Sequence, residues 1–231
     1  MKLKPIILIT ILLVPSVLYL MLTTGRHNIQ SLQYFGPKAV DEKQVNGKTV
    51  IDSIYHAVEP FQLLNSDSQL FDSKIQLKDK IYIANFFFTN CPTICKQSQA
   101  LLKTVQNRFE NFEDIDILSI TVDPDNDTPQ KLKEFSTLVG AKKGQWFFLT
   151  GNKDYIYNLA LKSYLVNVSE DAKADGGILH SDLMLLVDRK GRIRGMFEGS
   201  SAKDVKRLID ETKVLVAEYN LAKRSNKNKI K

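Results

Sequence analysis

From residue 81 onward the chain alternates between apolar runs of strand length and segments with helical spacing. "IYIANFFF" (81–88) is continuously apolar, which predicts a central strand buried on both faces. Helical spacing follows from Pro92, with Ile94, Ser98, Leu101, Leu102, Val105 and Phe109 on one broad face. "IDILSITV" (115–122) predicts a second buried strand. Thr128-Pro129 then supplies a helix N-cap and a first-turn proline, and the helix "PQKLKEFSTLV" stops at Gly140. "WFFLT" (146–150) reads as a strand and "KDYIYNLALKSYL" as a helix. "DLMLLVD" (182–188) and "RIRGMFEG" (192–199) form a hairpin around Arg189-Lys190-Gly191, and a last helix starts near Ser201. The order β-α-β-α-β-α-β-β-α predicts one α/β domain with a parallel core sheet and an antiparallel edge.

The first 80 residues are less regular. Pro5 to Gly25 carries no charge and is nearly all apolar, the length a membrane helix needs. Lys2 and Lys4 precede it, so the expected topology is a cytoplasmic N-terminus with the remainder exported. The segment ends in "LMLTTGRHN", a poor cleavage site, so an uncleaved anchor is expected. Residues 26–50 read as a linker with a Gly-Pro break in "YFGPK" and a turn signal at Asn46-Gly47. "FQLLNSDSQLFDSKIQLKDK" (61–80) reads as two short strands around a polar turn. The expected organisation is an anchor over 1–25, a linker over 26–50, a domain over 51–220 and a basic disordered tail over 221–231.

The net charge of +6 does not imply nucleic-acid binding. Lys2, Lys4 and the tail residues Lys223, Arg224, Lys227, Lys229 and Lys231 account for the whole excess, which leaves no basic footprint on the folded body.

The candidate chemistry lies in "FFFTNCPTIC". Cys91 and Cys95 are the only cysteines, and they follow a buried strand at the expected start of a helix. Ligand chemistry in open α/β sheets gathers at the carboxyl ends of strands. A helix N-terminus also favours thiolate over thiol. A spacing of four residues in a helix returns to nearly the same face after about 6 Å, so the two sulfurs can meet at one point. The pair can therefore be a chelate or a reversible disulfide. As a structural staple it would close a very short loop and add little stability. Two thiolates suit a soft ion such as Cu(I). Of the three histidines, His27 lies in the linker and His56 near the domain entrance. His180 sits after a Gly-Gly loop, directly before a buried strand, as a candidate third ligand or a structural histidine.

"FFFTNCPTIC", "SITVDPDNDTPQKLKEF", "WFFLTG" and "HSDLMLLVDRKGRIRGMFEG", in this order and spacing, resemble the Sco/SenC family. The likeness extends over about residues 34–215 and includes "YFGPK". It implies a thioredoxin-like fold, a central mixed sheet with flanking helices and a C-terminal hairpin plus helix, behind one N-terminal transmembrane helix. It implies that Cys91, Cys95 and His180 bind one copper ion, as Cu(I) or Cu(II), in a metallochaperone rather than an enzyme. It also draws attention to Asp123 in "TVDP", which can orient a ligand or a partner from outside the metal's own ligands. By its local sequence Asp123 is equally an Asp-Pro turn starter. The family often has proline after the second cysteine, where this chain has Lys96.

The expected role is copper delivery to the dinuclear copper site of cytochrome c oxidase during assembly. The expected location is the bacterial inner membrane, single pass, with the C-terminal domain on the periplasmic side. The partners would be the copper-receiving oxidase subunit and a periplasmic thiol reductant, with no nucleic acid. The alternative is a thiol-disulfide oxidoreductase that keeps the cysteines of an oxidase subunit or another periplasmic protein reduced. Against it stand the C-x-x-x-C spacing and the absence of any proline near the strand that leads the hairpin. A third possibility is a periplasmic adaptor that uses the fold without metal; it predicts that replacing the cysteines has no effect.

Overall fold

A computed structural model of the chain describes residues 10–11, 13–19, 31–45, 48–91, 94–170 and 178–229, with side chains left undescribed at 42–52, 94–96, 170, 178–180 and 224–229. The chain divides into two units, Met1–Gln30 and Ser31–Lys231. In the first, residues 10–11 and 13–19 are helical. Among the described residues no helix is long and apolar enough to cross a membrane, and the rest of the expected anchor lies outside them.

The second unit is built on a seven-stranded mixed sheet. Its strands are β3 (Gln62–Asn65), β4 (Leu70–Asp72), β5 (Ile81–Phe87), β6 (Ile115–Thr121), β7 (Trp146–Thr150), β10 (Leu183–Val187) and β11 (Ile193–Glu198), in spatial order β11-β10-β5-β6-β7-β3-β4. β5, β6 and β7 are parallel, and β10 joins β5 antiparallel. Every residue of β5 and β6 is buried, which explains why both strands are mostly apolar on both faces: alternate side chains supply two different cores.

On one face Tyr82, Ala84, Phe86, Leu118, Ile120 and Leu185 pack with Phe61, Phe71, Ile156 and Tyr164. The last two come from and after helix α4 (Lys153–Asn158), which runs on into a single π-helical turn, Leu159–Ser163. On the other face Ile81, Ile83, Phe87, Ile117, Phe148 and Met184 pack against three helices. These are α2 (Ile94–Arg108), α3 (Pro129–Leu138) and α5 (Ala202–Lys229). A four-residue α1 (Ser73–Gln76), absent from the sequence expectation, is capped by Asp72, whose carboxylate accepts the Lys74 N–H. Thr128 caps α3 as expected, accepting the Lys131 N–H with Pro129 in the first turn.

Three boundaries differ from the sequence reading. Part of the expected linker belongs to the second unit. The Phe35 N–H bonds the Ile193 carbonyl at 3.0 Å, and Arg194 donates to the carbonyls of Leu32 and Gln33. Residues Lys38–Val45 (β1) and Lys48–Tyr55 (β2) pair as an antiparallel hairpin, with the Asn46-Gly47 turn between them outside the described residues. The expected disordered tail instead continues α5 to Lys229, because nothing between Leu221 and Lys229 breaks a helix: there is no glycine or proline.

Candidate metal centre

β5 delivers the chain to Phe88, and a turn at Thr89-Asn90 leads into Cys91. Cys91 is a free thiol, 6% exposed, and belongs to the apolar cluster under α4. α2 begins at Ile94, so Cys91 occupies the loop ahead of the helix while Cys95 lies in its first turn. Pro92 and Thr93, between them, lie outside the described residues, as does the side chain of Cys95.

His180 ends β9 (Ile178–His180), which pairs with β8 (Val168–Glu170) so that His180 faces Val168 in register. Its side chain is likewise undescribed. His180 lies three residues ahead of β10, whose register with β5 gives the end of the sheet at which β10 begins. Met184 of β10 pairs with Asn85 of β5, and the two strands are antiparallel. Moving back from Met184 toward residue 180 therefore moves forward past Phe87, toward the Cys91 end of the sheet. Among the described residues no three His, Cys, Asp or Glu side chains cluster as a metal site.

Sequence reasoning overlooked Asp127. Its fully buried carboxylate accepts the Thr89 N–H at 3.0 Å and the Thr121 hydroxyl at 2.6 Å, both on Oδ2. The Thr89 hydroxyl donates to Oδ1, and Lys131 Nζ lies 3.4 Å from that oxygen. One carboxylate thus clamps the turn that carries Cys91 to the end of β6. The available signal was a third acid in "DPDNDTP", too many for turn formation alone.

Asp123 is buried beside it and organises the turn. Its N–H donates to Thr121 Oγ1, and Asn126 Nδ2 donates to both carboxylate oxygens at 3.0 Å. Its backbone carbonyl accepts the Asp127 N–H at 2.8 Å. The Asp-Pro turn role is the one these contacts describe.

A second overlooked residue is Asp182. Oδ1 accepts the hydroxyl of Ser98, one helical turn past Cys95, at 2.9 Å, and the backbone carbonyl accepts the Gly199 N–H. Oδ2 is buried without a partner. Asp182 therefore ties the segment after His180 to the helix that carries Cys95. Gly199 leaves room for this link: a Cβ there would fall 2.5 Å from Ser98 Oγ and 2.6 Å from Asp182 Oδ1, so one of those side chains would have to shift. His56, by contrast, is structural: its Nε2 lies 2.7 Å from the Ser163 carbonyl oxygen. His27 lies outside the described residues.

A thiol at the carboxyl end of a central parallel strand, with an antiparallel hairpin returning beside it, defines a thioredoxin-like α/β protein. Residues 52–217 match the SCO1/SenC family model. The chain belongs to that family. The SCO1 protein homolog of Bacillus subtilis is 32% identical over 170 residues, which span 72% of this chain and 86% of that protein. The structure resembles BsSco, a member of the Sco family of cytochrome c oxidase assembly proteins in which a disulfide switch was identified. The TM-score is 0.61 at 31% identity, covering 69% of this chain and 93% of that one. It also resembles Arabidopsis thaliana ScoI with copper bound, with a TM-score of 0.60 at 27% identity over 71% and 99% of the two chains.

Proposed function

We propose that this chain is a membrane-anchored copper carrier that delivers one copper ion to the dinuclear copper site of cytochrome c oxidase during assembly. In this reading Cys91 and Cys95 supply two thiolates and His180 an imidazole, a donor set matched to a soft monovalent ion. Asp127 holds the loop on which Cys91 stands, and Asp123 shapes the turn that presents Asp127. The apolar segment within residues 5–25 is the anchor, with the domain on the periplasmic side. The observation that supports the reading is that Cys91 follows the carboxyl end of β5 and that β10, antiparallel to β5, begins at Leu183 at that same end, three residues after His180. Support comes also from the copper-bound Arabidopsis ScoI and from the oxidase-assembly role of BsSco.

Copper is the cargo. Handover follows by ligand exchange, with thiolates of the receiving subunit replacing Cys91, Cys95 and His180 in turn. Both cysteines must be reduced to take up Cu(I), so a dithiol reductant has to supply two electrons and two protons to any Cys91–Cys95 disulfide. The disulfide switch of BsSco favours this second, redox aspect, and a thiol-disulfide oxidoreductase is the competing reading.

A copper titration of the reduced full-length protein in detergent separates the two. One tight equivalent is expected, and it should vanish in Cys91→Ser, Cys95→Ser and His180→Ala. No tight copper, together with sustained disulfide reductase turnover, would replace delivery by the oxidoreductase reading.

A further inference from the structure

Helix α5 changes character at Glu218. From Ala202 to Glu218 it carries four acidic and four basic residues. Arg207 lies near Asp204 and Glu211, Lys213 near Asp210, and Glu218 holds Arg194. Val205, Leu208 and Leu215 of this part are buried in the core. Beyond Tyr219 the helix leaves the core: residues 220–223 are exposed, Leu221 at 46%. The same stretch turns uniformly basic. Lys223, Arg224, Lys227 and Lys229 follow Glu218 with no Asp or Glu among them. Lys227 lies four positions after Lys223 and three after Arg224, so like charges share one side of the helix and repel. An external anionic surface relieves that repulsion.

The place where the chain enters the folded unit points to the source of those anions. Ser31, six residues past the apolar run that ends at Gly25, donates its hydroxyl to Glu218. Leu32 packs on the same core cluster as Val216 and Tyr219. The chain therefore enters the unit at the turn of α5 where the basic stretch begins. Six residues reach about 20 Å at full extension, and Lys223 and Lys229 lie about 8 and 16 Å beyond Glu218 along the helix axis. We propose that the basic end of α5 lies on anionic phospholipid of the membrane that holds the anchor. The inference rests on the reading of residues 5–25 as that anchor. Each Lys or Arg near an anionic surface strengthens binding about fivefold. Such a contact is weak for a protein free in solution, but a short tether makes it intramolecular, at an effective concentration on the order of millimolar. The helix end then serves as a second attachment and restricts how the domain that carries Cys91 turns about its tether.

The test follows hydrogen exchange by mass spectrometry in the reduced full-length protein. The protein is reconstituted into vesicles of phosphatidylcholine alone, or of phosphatidylcholine and phosphatidylglycerol in equal parts. Amides of residues 221–229 should exchange about tenfold more slowly in the anionic vesicles. The difference should vanish in about 1 M salt, where the screening length falls to about 3 Å. The joint variant Lys223→Gln, Arg224→Gln, Lys227→Gln and Lys229→Gln keeps the helix propensity. It should exchange alike in both vesicles, with the copper stoichiometry of the parent. Equal exchange of the parent in both lipids overturns the proposal, and the cations then serve only the helix dipole.

Two further arms separate the alternatives. If exchange slows only when the soluble copper domain of the oxidase subunit is added, in either lipid, the basic end binds a protein and the proposal falls. Extraction in alkaline carbonate tests the anchor by itself. Release of the protein from the vesicles would remove the anchor reading, while the comparison of the two lipids still decides the contact of α5.

Discussion

Asp127 illustrates how a residue with no ligand role can set the geometry of a ligand. Its two oxygens hold the Thr89 backbone, the Thr89 and Thr121 hydroxyls and the Lys131 ammonium, and Cys91 follows two residues after Thr89. Asp127→Ala strands the buried Thr121 hydroxyl, at about 1–3 kcal/mol, and releases the partly buried Thr89 donors and Lys131. Stability should fall by about 3 kcal/mol in urea denaturation. In a Cys95→Ser background, the same change should speed the reaction of Cys91 with a thiol reagent, because the loop that buries it loses its tether. An unchanged thiol reaction rate would show that the apolar cluster alone holds Cys91. Neither the clamp nor the Ser98–Asp182 link was legible in the sequence. They join residues 38 and 84 positions apart, and local periodicity carries no information about such pairings.

The elements themselves were legible. β5, β6, β7, α3 and the β10–β11 hairpin lie within a residue or two of the ranges expected from apolar runs and caps. The small elements were not: α1, β8 and β9 are three or four residues long, too short for a periodic pattern. Within β6 the sequence hides one anomaly. Asp116 is 3% exposed on a strand otherwise apolar but for two hydroxyls, and its nearest cation is Lys80 at 3.4 Å. Burial pushes its carboxyl up to about 6, against the opposing pull of Lys80. Between pH about 4 and 6 the folded state therefore holds a proton that the unfolded chain has released. Stability should fall as pH rises through this window and level off above it. The total is about 3 kcal/mol for a shift of this size. Asp116→Asn should flatten that part of the stability–pH curve in denaturant titrations. A curve as steep as the parent's would assign the dependence to other groups.

The compact unit is closed by a charged knot rather than by the sheet alone. Arg194 on β11 is 2% exposed at its side chain and lies 2.9 Å from Glu218 of α5 and 3.3 Å from the buried Asp188. It also donates to the carbonyls of Leu32 and Gln33 and stacks 4.3 Å from the Tyr34 ring. One guanidinium thus joins the start of the unit, its edge hairpin and its last helix. Its five fixed donors suit this role where lysine's would not. Removing one partner of a buried ion pair is expensive because the other charge remains. Arg194→Ala should cost about 3 kcal/mol and expose the amides of residues 32–35 to hydrogen exchange. Protection that persists in the variant would mean that the Phe35–Ile193 backbone bond suffices to hold the segment.

The order and type of the main elements, the strand-end position of Cys91 and the family resemblance all follow from runs and spacings along the chain, because burial on two faces demands continuous apolar strands. The end of the sheet toward which residue 180 returns depends on the β5–β10 register, and the closure of the Cys91 turn depends on Asp127 meeting Thr89. These features arise from side chains brought together across long stretches of sequence, where packing and hydrogen-bond satisfaction decide the contact.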